Sequence, residues 1–288
     1  MIYEGTVYRP PSEAGSWILQ ATIGCSHNKC TFCSMYKEKS FRVRATDELI
    51  NEIHKVGKLY PDVRKVFIAD GDALMIKTEN LKYLLSEIKV TFPKLERIGI
   101  YASPKSIHSK SDEELVELYK EGLGIAYLGL ESGDDEILRR VKKGDTIEGI
   151  IRAGQRIKAS GIKLSVTAIS GLGGKERWRE HSLLTASAVN EIRPDYLGLL
   201  TLMVEPGTEL LNSVQEGGFQ LLTPYETAIE TLSLLEELDC EGLVFRSNHA
   251  SNYIALKGTL NKDRDKLIDQ LKSAIEEEGF KDESFRRL

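Results

Sequence analysis

The sequence has few cysteines, no long apolar run and no excess of positive charge, and each of these absences excludes a class of protein. Four cysteines in 288 residues do not make the disulfide framework of a small secreted protein, so we expect a reducing cytoplasm. No apolar run approaches the ~18 residues that span a bilayer, so no membrane partner is expected. The segment from Met1 to Gly5 lacks the charged and apolar regions of a signal peptide.

The net charge of -5 argues against a dedicated nucleic-acid binder, which usually presents a basic surface. A hydrophobic content of 41% is enough to bury a substantial core. We expect a short N-terminal lead over residues 1–15, a core domain over residues 16–210 and a C-terminal extension over residues 211–288.

Apolar runs of strand length alternate with stretches of helical periodicity along most of the chain. This alternation predicts an α/β fold with a parallel sheet, because a crossover helix keeps neighbouring strands parallel. The runs are almost continuously apolar, as is typical of strands covered on both faces. The predicted strands cover residues 17–23, 65–69, 97–102, 125–130, 163–169 and 196–203. The predicted helices cover residues 46–59, 78–91, 111–121, 134–141, 146–160 and 182–192.

The C-terminal part of the chain, residues 223–288, is predicted to be mostly helical with an irregular middle at residues 245–258. The middle is polar, and such a loop can contribute to substrate binding when it is set on a rigid scaffold. His249 lies in it, and its imidazole can act as an acid, a base or an anion contact. A purely structural histidine is the alternative interpretation.

Three of the four cysteines, Cys25, Cys30 and Cys33, fall within nine residues directly after the first predicted strand. Soft sulfur ligands select iron–sulfur clusters, zinc or copper(I). A [4Fe–4S] cluster normally takes four thiolates, so three would leave one iron open to a small molecule. Zinc remains an alternative, with His27, Cys240 or His249 as the fourth ligand. An electron-carrying cluster with four protein ligands is another.

This cysteine segment resembles that of the radical S-adenosylmethionine (radical SAM) superfamily. The family motif is usually Cys-x3-Cys-x2-Cys with an aromatic residue before the last cysteine. Here the spacing is Cys25-x4-Cys30-x2-Cys33, with Phe32 in the aromatic place. The first gap is therefore one residue longer than usual.

Further motifs of the superfamily follow in the expected order, each at the end of a predicted strand. The segment 69–73 takes the place of a Gly-Gly-Glu-like segment, with Asp72 as the acid. The segment 129–138 resembles the branch that contains oxygen-independent coproporphyrinogen oxidases, the anaerobic Mg-protoporphyrin cyclase and methylthiotransferases. The segment 170–174 matches the glycine motif near adenine, and 204–208 also resembles this branch.

The resemblance implies a partial (β/α)6 TIM-like barrel that binds a [4Fe–4S] cluster and S-adenosylmethionine. Cys25, Cys30 and Cys33 would each ligate one iron, and the fourth iron would take the amino and carboxylate groups of S-adenosylmethionine. The expected cofactor contacts are Gly71, Asp72, Glu131, Ser132, Ser170, Gly171 and Arg44. Structural alternatives exist: an ordinary Asp-Gly turn around Gly71, a helix cap by Ser132 and a solvated charge at Arg44.

The implied reaction is reductive cleavage of S-adenosylmethionine to a 5′-deoxyadenosyl radical, which abstracts a hydrogen atom from a small organic substrate. An external one-electron donor of the flavodoxin or ferredoxin type is the expected partner, and the enzyme would be anaerobic. His249 and Glu205 are the candidate catalytic residues. The alternatives are modification of tRNA or a peptide, and a non-catalytic zinc or iron–sulfur binding protein.

Overall fold

The computed structural model describes residues 3–286, which form two compact units. The first unit comprises residues 3–28, 35–128 and 153–164. The second unit comprises residues 29–34, 129–152 and 165–286. Residues 1–2 of the predicted lead and 287–288 of the predicted extension lie outside the described residues.

Strands and helices alternate through most of residues 3–286, as the sequence predicts. The strands are β1 (Trp17–Gln20), β2 (Thr22–Ile23), β3 (Arg42–Val43), β4 (Lys65–Ala69), β5 (Arg97–Ala102), β6 (Leu123–Glu131), β7 (Lys163–Ser170), β8 (Tyr196–Thr201), β9 (Val244–Ser247) and β10 (Leu256–Thr259). The helices are α1 (Thr46–Leu59), α2 (Thr78–Thr91), α3 (Pro104–His108), α4 (Asp112–Lys120), α5 (Asp135–Arg140), α6 (Ile147–Ala159), α7 (Gly174–Ile192), α8 (Glu209–Gln215), α9 (Pro224–Glu237) and α10 (Arg264–Glu276).

The first unit contains parallel strands in the order β1, β4, β5 and β6. Val66, Phe67 and Ile68 of β4 have no exposed surface, which explains why this strand is apolar at successive positions. Helix α1 buries Leu49, Ile50, Ile53 and Val56 at helical spacing. The structure therefore confirms that the alternating pattern encodes parallel strands connected by helices.

The first predicted strand, residues 17–23, is wrong as a single element. It is interrupted after Gln20, and Thr22 and Ile23 pair antiparallel with β3 instead of continuing beside β4. The Thr22 hydroxyl accepts a hydrogen bond from the Asp70 N–H at 3.1 Å, so a side chain replaces the backbone ladder here. Gly24 follows with φ +74°, a conformation that glycine adopts without strain.

Helix α4 begins where the sequence predicts a cap. The Ser111 hydroxyl accepts the Glu114 N–H, and the Glu114 carboxylate accepts the Ser111 N–H in return. This reciprocal pair satisfies two donors that a helix start leaves open. The local signal is complete within four residues, which is why the helix start is predictable.

The second unit contains the parallel strands β7, β8 and β9, with β10 antiparallel to β9. The predicted irregular middle at residues 245–258 is therefore partly wrong, because it contains most of these last two strands. Each is only four residues long, and the polar side chains of Arg246, Ser247 and Lys257 hide the apolar pattern. Helices α9 and α10 confirm the helical flanks of the extension.

Helix α7 begins eight residues earlier than predicted, at Gly174 instead of residue 182. Arg177 has non-helical angles (φ -132°, ψ 19°), so the element is two helices joined at a kink. The glycine pair at its start and the kink obscure the helical signal in the sequence. The predicted domain boundaries after residues 15 and 210 stay a prediction.

Candidate functional site

The segment that we call the cysteine loop, residues 24–39, begins directly after β2. In the first unit, Cys25 is half-buried, and its Cβ lies 2.9 Å from the position that a Cβ on Gly71 would occupy. The same added atom would approach a ring carbon of Tyr36 at 2.7 Å. Gly71 therefore permits the close approach of β4's carboxyl end to Cys25, which any other side chain would prevent.

Cys30 and Cys33 lie in the second unit on one tight turn, where the Cys33 N–H donates to the Cys30 carbonyl at 3.4 Å. Between them, the Thr31 N–H donates to the Val141 carbonyl and the Thr31 carbonyl accepts the Leu210 N–H, both at 3.0 Å. Phe32 packs against an apolar cluster formed by Ile137, Val141, Ile169, Leu172, Leu202 and Leu210. The backbone of this turn is thus fixed, and Phe32 shields it on one side.

None of the four cysteines, all of which are described, forms a disulfide. Cys240 is 2% exposed and its Sγ contacts the Val189 carbonyl at 3.5 Å, so it is a packed residue. Burial raises the pKa of its thiol. Within residues 3–286, no group of three or more His, Cys, Asp and Glu side chains is arranged as a metal site.

Asp72 follows Gly71 and is fully buried in the first unit. Its carboxylate accepts hydrogen bonds from the Ser103 N–H at 3.1 Å, from the Ser103 hydroxyl at 2.7 Å and from the Ser26 hydroxyl. Three donors compensate the loss of water around this buried carboxyl group. Asp72 thereby links the residue after Cys25 to the end of β5, and its contact with a cofactor stays a prediction.

Glu131 and Ser132 lie where β6 ends, and their side chains have different surroundings. Glu131 has φ +64° and pairs with Lys143 at 2.8 Å, both side chains being less than 15% exposed. Ser132 is fully buried, and its hydroxyl accepts the Asp134 N–H at 3.0 Å. The predicted helix cap by Ser132 is wrong, because the Asp134 carboxylate caps α5 by accepting the Glu136 N–H.

His181, for which the sequence gives no role, connects Ser132 to the end of β7 within the second unit. Its Nε2 lies 2.9 Å from the Ile169 carbonyl, which can only accept, so Nε2 carries the proton. Its Nδ1 lies 2.8 Å from the Ser132 hydroxyl. The buried imidazole is therefore a fixed link between two loops that the sequence assigns to the cofactor.

Ser170 and Gly171, at the end of β7, share one acceptor that the sequence analysis also missed. The Glu230 carboxylate Oε2 accepts the Ser170 hydroxyl and, at 2.7 Å, the Gly171 N–H. Glu230 lies on α9 and is 2% exposed, and its Oε1 has no hydrogen-bond partner among the described residues. Burial raises the pKa of Glu230, and nearby His181 and the two donors oppose that rise.

Arg44 and Glu205 are each only partly buried. The Arg44 guanidinium donates to the Gln20 carbonyl at 2.8 Å and to Glu52 at 3.0 Å. The half-buried Glu205 accepts the Thr208 hydroxyl through its backbone carbonyl at 2.7 Å, at the start of α8. The roles of Arg44 in cofactor binding and of Glu205 in catalysis stay predictions.

His249 lies in the segment between β9 and β10. Its Nδ1 accepts the Ser251 N–H at 3.1 Å and lies 3.0 Å from the Ser251 hydroxyl. Burial lowers the pKa of His249, and the charge of Lys281 lowers it further, so both favour the neutral imidazole. Because Nδ1 accepts the Ser251 N–H, the proton of the neutral ring lies on Nε2, and the catalytic role stays a prediction.

Comparison with known proteins shows the family. The sequence profile of the radical SAM superfamily matches residues 19–184, more than half of the chain. The chain therefore belongs to the radical SAM superfamily, as the motifs predict. Members of this superfamily bind a [4Fe–4S] cluster and S-adenosylmethionine, which agrees with the expected cofactors.

The individual proteins that resemble this chain differ from it at most positions. The chain is similar to the heme chaperone HemW of Bacillus subtilis, with 26% identity over 68% of this chain and 51% of that protein. It is 30% identical to a tRNA uridine(34) acetyltransferase of Methanocaldococcus infernus over 44% of this chain and 24% of that protein. The chain thus spans about half of one curated relative and a quarter of the other.

Among solved structures, the chain is similar to the methylornithine synthase PylB. The TM-score is 0.59 and the identity is 17%, over 89% of this chain and 68% of that one. This likeness shows the fold and confirms the predicted α/β class. Within residues 3–286, the structure contains no helix of the length and apolarity that crossing a membrane requires.

Proposed function

We propose that this chain is a radical SAM enzyme that cleaves S-adenosylmethionine reductively and abstracts a hydrogen atom from a small organic substrate. The observation that carries the proposal is the set of three cysteines within nine residues, none in a disulfide, in a chain of this superfamily. Three thiolates match the donor set of a cluster with one open iron.

The residues present fit the cofactors. Cys25, Cys30 and Cys33 would hold the cluster, since thiolates are its usual ligands. The turn of Cys30 and Cys33 is fixed by backbone hydrogen bonds, and Gly71 allows the carboxyl end of β4 to pack directly against Cys25. Such fixed positions favour a metal site, because ligands held in place lose little entropy on binding.

The remaining predicted contacts would bind S-adenosylmethionine through different chemistry. Gly71 offers backbone groups, and Glu131 offers carboxylate oxygens to hydroxyl or ammonium groups. Ser132, whose buried hydroxyl contacts Asp134 and His181, would hold the loop that carries Glu131. Ser170 and Gly171 allow the close approach of a flat ring, and Asp72 and Arg44 complete the set. When bound, the cluster supplies the electron that cleaves the sulfonium, and the protein supplies positioning and exclusion of water.

Substrate selection would reside in the C-terminal part, residues 211–286, and in the loops. His249 and Glu205 are the candidate catalytic residues. A one-electron donor of the flavodoxin or ferredoxin type would supply the reducing equivalent. Reaction types that start from hydrogen abstraction include oxidation, lysis and rearrangement.

A second candidate function is the modification of tRNA. It is favoured by the 30% identity to the tRNA uridine(34) acetyltransferase over 131 residues. The net charge of -5 is against it, because nucleic-acid affinity comes mainly from contacts with phosphates. Modification of a peptide is the third possibility that the same chemistry allows.

A non-catalytic function is supported by the similarity to the heme chaperone HemW. In that case the chain would bind heme and would hold its cluster without productive cleavage of S-adenosylmethionine. A zinc-binding protein is the remaining non-catalytic alternative, since three thiolates and one histidine also suit zinc.

Anaerobic reconstitution with iron and sulfide distinguishes these functions. The proposal predicts a [4Fe–4S] cluster and, with dithionite, conversion of S-adenosylmethionine to 5′-deoxyadenosine and methionine. Replacing Cys25, Cys30 or Cys33 singly by alanine should abolish conversion, whereas Cys240→Ala, a packed position, should retain it. Stoichiometric zinc without conversion would favour the binding protein, and tight heme binding without conversion would favour the chaperone. Stimulation of conversion by tRNA would favour the second candidate.

A further inference from the structure

A buried ion pair lies at the base of the cysteine loop, entirely within the first unit. Asp70, the residue after β4, is fully buried, and its Oδ2 lies 2.9 Å from the Lys39 Nζ. The same oxygen accepts the Gly24 N–H at 3.1 Å. One carboxylate atom therefore contacts both the first and the last residue of the loop, which are fifteen positions apart.

Asn28 makes a second bridge between the two ends of the loop. Its Nδ2 donates to the Tyr36 carbonyl at 2.7 Å and to the Lys39 carbonyl at 3.3 Å. Asn28 has φ +47°, in the left-handed region that asparagine tolerates better than most residues. It also lies in the longer first gap, between Cys25 and Cys30, so the residue type suits the turn that this gap requires.

Tyr36 fills the space beneath these bridges. Its side chain is 6% exposed, and its ring lies beside Gly71 and under the Lys39 ammonium, 5.6 Å from the ring centre. The loop base is therefore packed as well as hydrogen-bonded, so the ends are unable to separate without exposing a charge and an aromatic ring.

We propose that Asp70, Lys39 and Asn28 form a clamp that closes the base of the cysteine loop and holds Cys25 in position before the cluster binds. These three are positioning residues, which act on the cluster only through the backbone of the loop. The inference rests on the proposed function for its significance, since the clamp has a purpose only if the cysteines ligate a cluster. The structural claim, that Cys25 is restrained in the apoprotein, does not depend on enzymatic activity.

The clamp is tested by the rate at which iodoacetamide alkylates each cysteine in the full-length apoprotein. Trypsin cleaves after Lys29, so peptide mass analysis separates Cys25 from Cys30 and Cys33. Lys39→Met leaves Asp70 buried without its cation, and we expect Cys25 to be alkylated about tenfold faster or more. Alkylation of the buried Cys240 reports whether the rest of the protein stays folded.

A matched control uses a pair of the same two residue types at the surface. Lys94 and Asp62 lie 2.8 Å apart, but both side chains are more than 60% exposed. Lys94→Met should leave the alkylation rate of Cys25 unchanged, because exposed pairs contribute little. The double variant Lys39→Met/Asp70→Asn removes both charges and retains an acceptor for the Gly24 N–H, so the rate should return toward that of the wild type.

Asn28→Gly keeps the test informative if Lys39→Met unfolds the protein, which faster alkylation of Cys240 would reveal. Glycine preserves the left-handed backbone and removes only the side-chain bridge, so Cys25 should again react faster while Cys240 does not. Unchanged Cys25 rates in Asn28→Gly, or in a folded Lys39→Met variant, would overturn the clamp. The clamp variants should also retain less iron after reconstitution. If the variants show the expected alkylation rates but the reconstituted wild type does not cleave S-adenosylmethionine, the proposed function is refuted and the clamp is retained.

Discussion

Glu230→Ala should destabilise the protein, because Glu230 is the acceptor for two donors at the end of β7. The substitution leaves the Ser170 hydroxyl and the Gly171 N–H buried without it. An unsatisfied buried donor costs about 1–3 kcal/mol, so the free energy of unfolding should fall by about 2–6 kcal/mol. Urea denaturation followed by circular dichroism measures this loss. Glu237→Ala, an exposed glutamate on the same helix α9, is the control and should be close to neutral.

Glu230→Gln separates hydrogen bonding from charge. The amide oxygen can still accept both donors, and the substitution removes the ionisable group that burial disfavours. At neutral pH this variant should therefore be at least as stable as the wild type. Equal destabilisation by alanine and glutamine would refute the assignment of the two hydrogen bonds to this carboxylate.

The pH dependence of the stability difference between the wild type and Glu230→Gln tests the burial of this carboxyl group. Burial raises the pKa of Glu230 above its ordinary value of 4.5, so the folded protein keeps a proton that the unfolded chain releases. The stability from this proton is fully present below the ordinary pKa and is lost as pH rises through the raised one. The stability of Glu230→Gln relative to the wild type should therefore increase over that window and then level off. A pH-independent difference would mean that Glu230 is not desolvated as described.

Three further predictions concern other contacts. Gly71→Ala places a Cβ 2.7 Å from a Tyr36 ring carbon and should cost about 1–3 kcal/mol in urea denaturation through overpacking, with a cost near zero contradicting the close contact. Asp134→Ala removes the cap of α5, which costs about 0.5–2 kcal/mol, together with the ion pair to Arg177, whereas Asp134→Asn should retain most of the cap and lose only the ion pair. Arg64→Ala breaks an exposed pair with Glu96 and should not shift the Tm, so a clear decrease would contradict its solvent screening.

Most of the longer helices and most strands were predictable because their signals are local. Helix α1 shows its buried positions at helical spacing, and Ser111 and Glu114 mark the start of α4 within four residues. The superfamily was predictable because several motifs occur in the same order, each at a strand end. Where the signal is short and polar, as in β9 and β10, the prediction failed.

The partners of the candidate site residues were not predictable, because they come from distant parts of the chain. Glu230 lies 60 positions after Ser170, and His181 lies 49 after Ser132. Neither has a local pattern that distinguishes it from a surface carboxylate or an ordinary helical histidine. Asp70 was visible only as part of an Asp-Gly turn, and its ion pair with Lys39 requires the folded loop. Sequence patterns predicted which loops bind the cofactors, and the structure shows which distant side chains hold those loops in place.

The central claim is that three cysteines of this chain leave one iron of a cluster open to S-adenosylmethionine. Electron paramagnetic resonance of the reduced, reconstituted protein tests it most directly when S-adenosylmethionine carries 15N in its amino group and 17O in its carboxylate. The account predicts that the cofactor changes the cluster signal and that hyperfine coupling to both nuclei appears. An unchanged signal without coupling, from a cluster with four protein ligands, would contradict it.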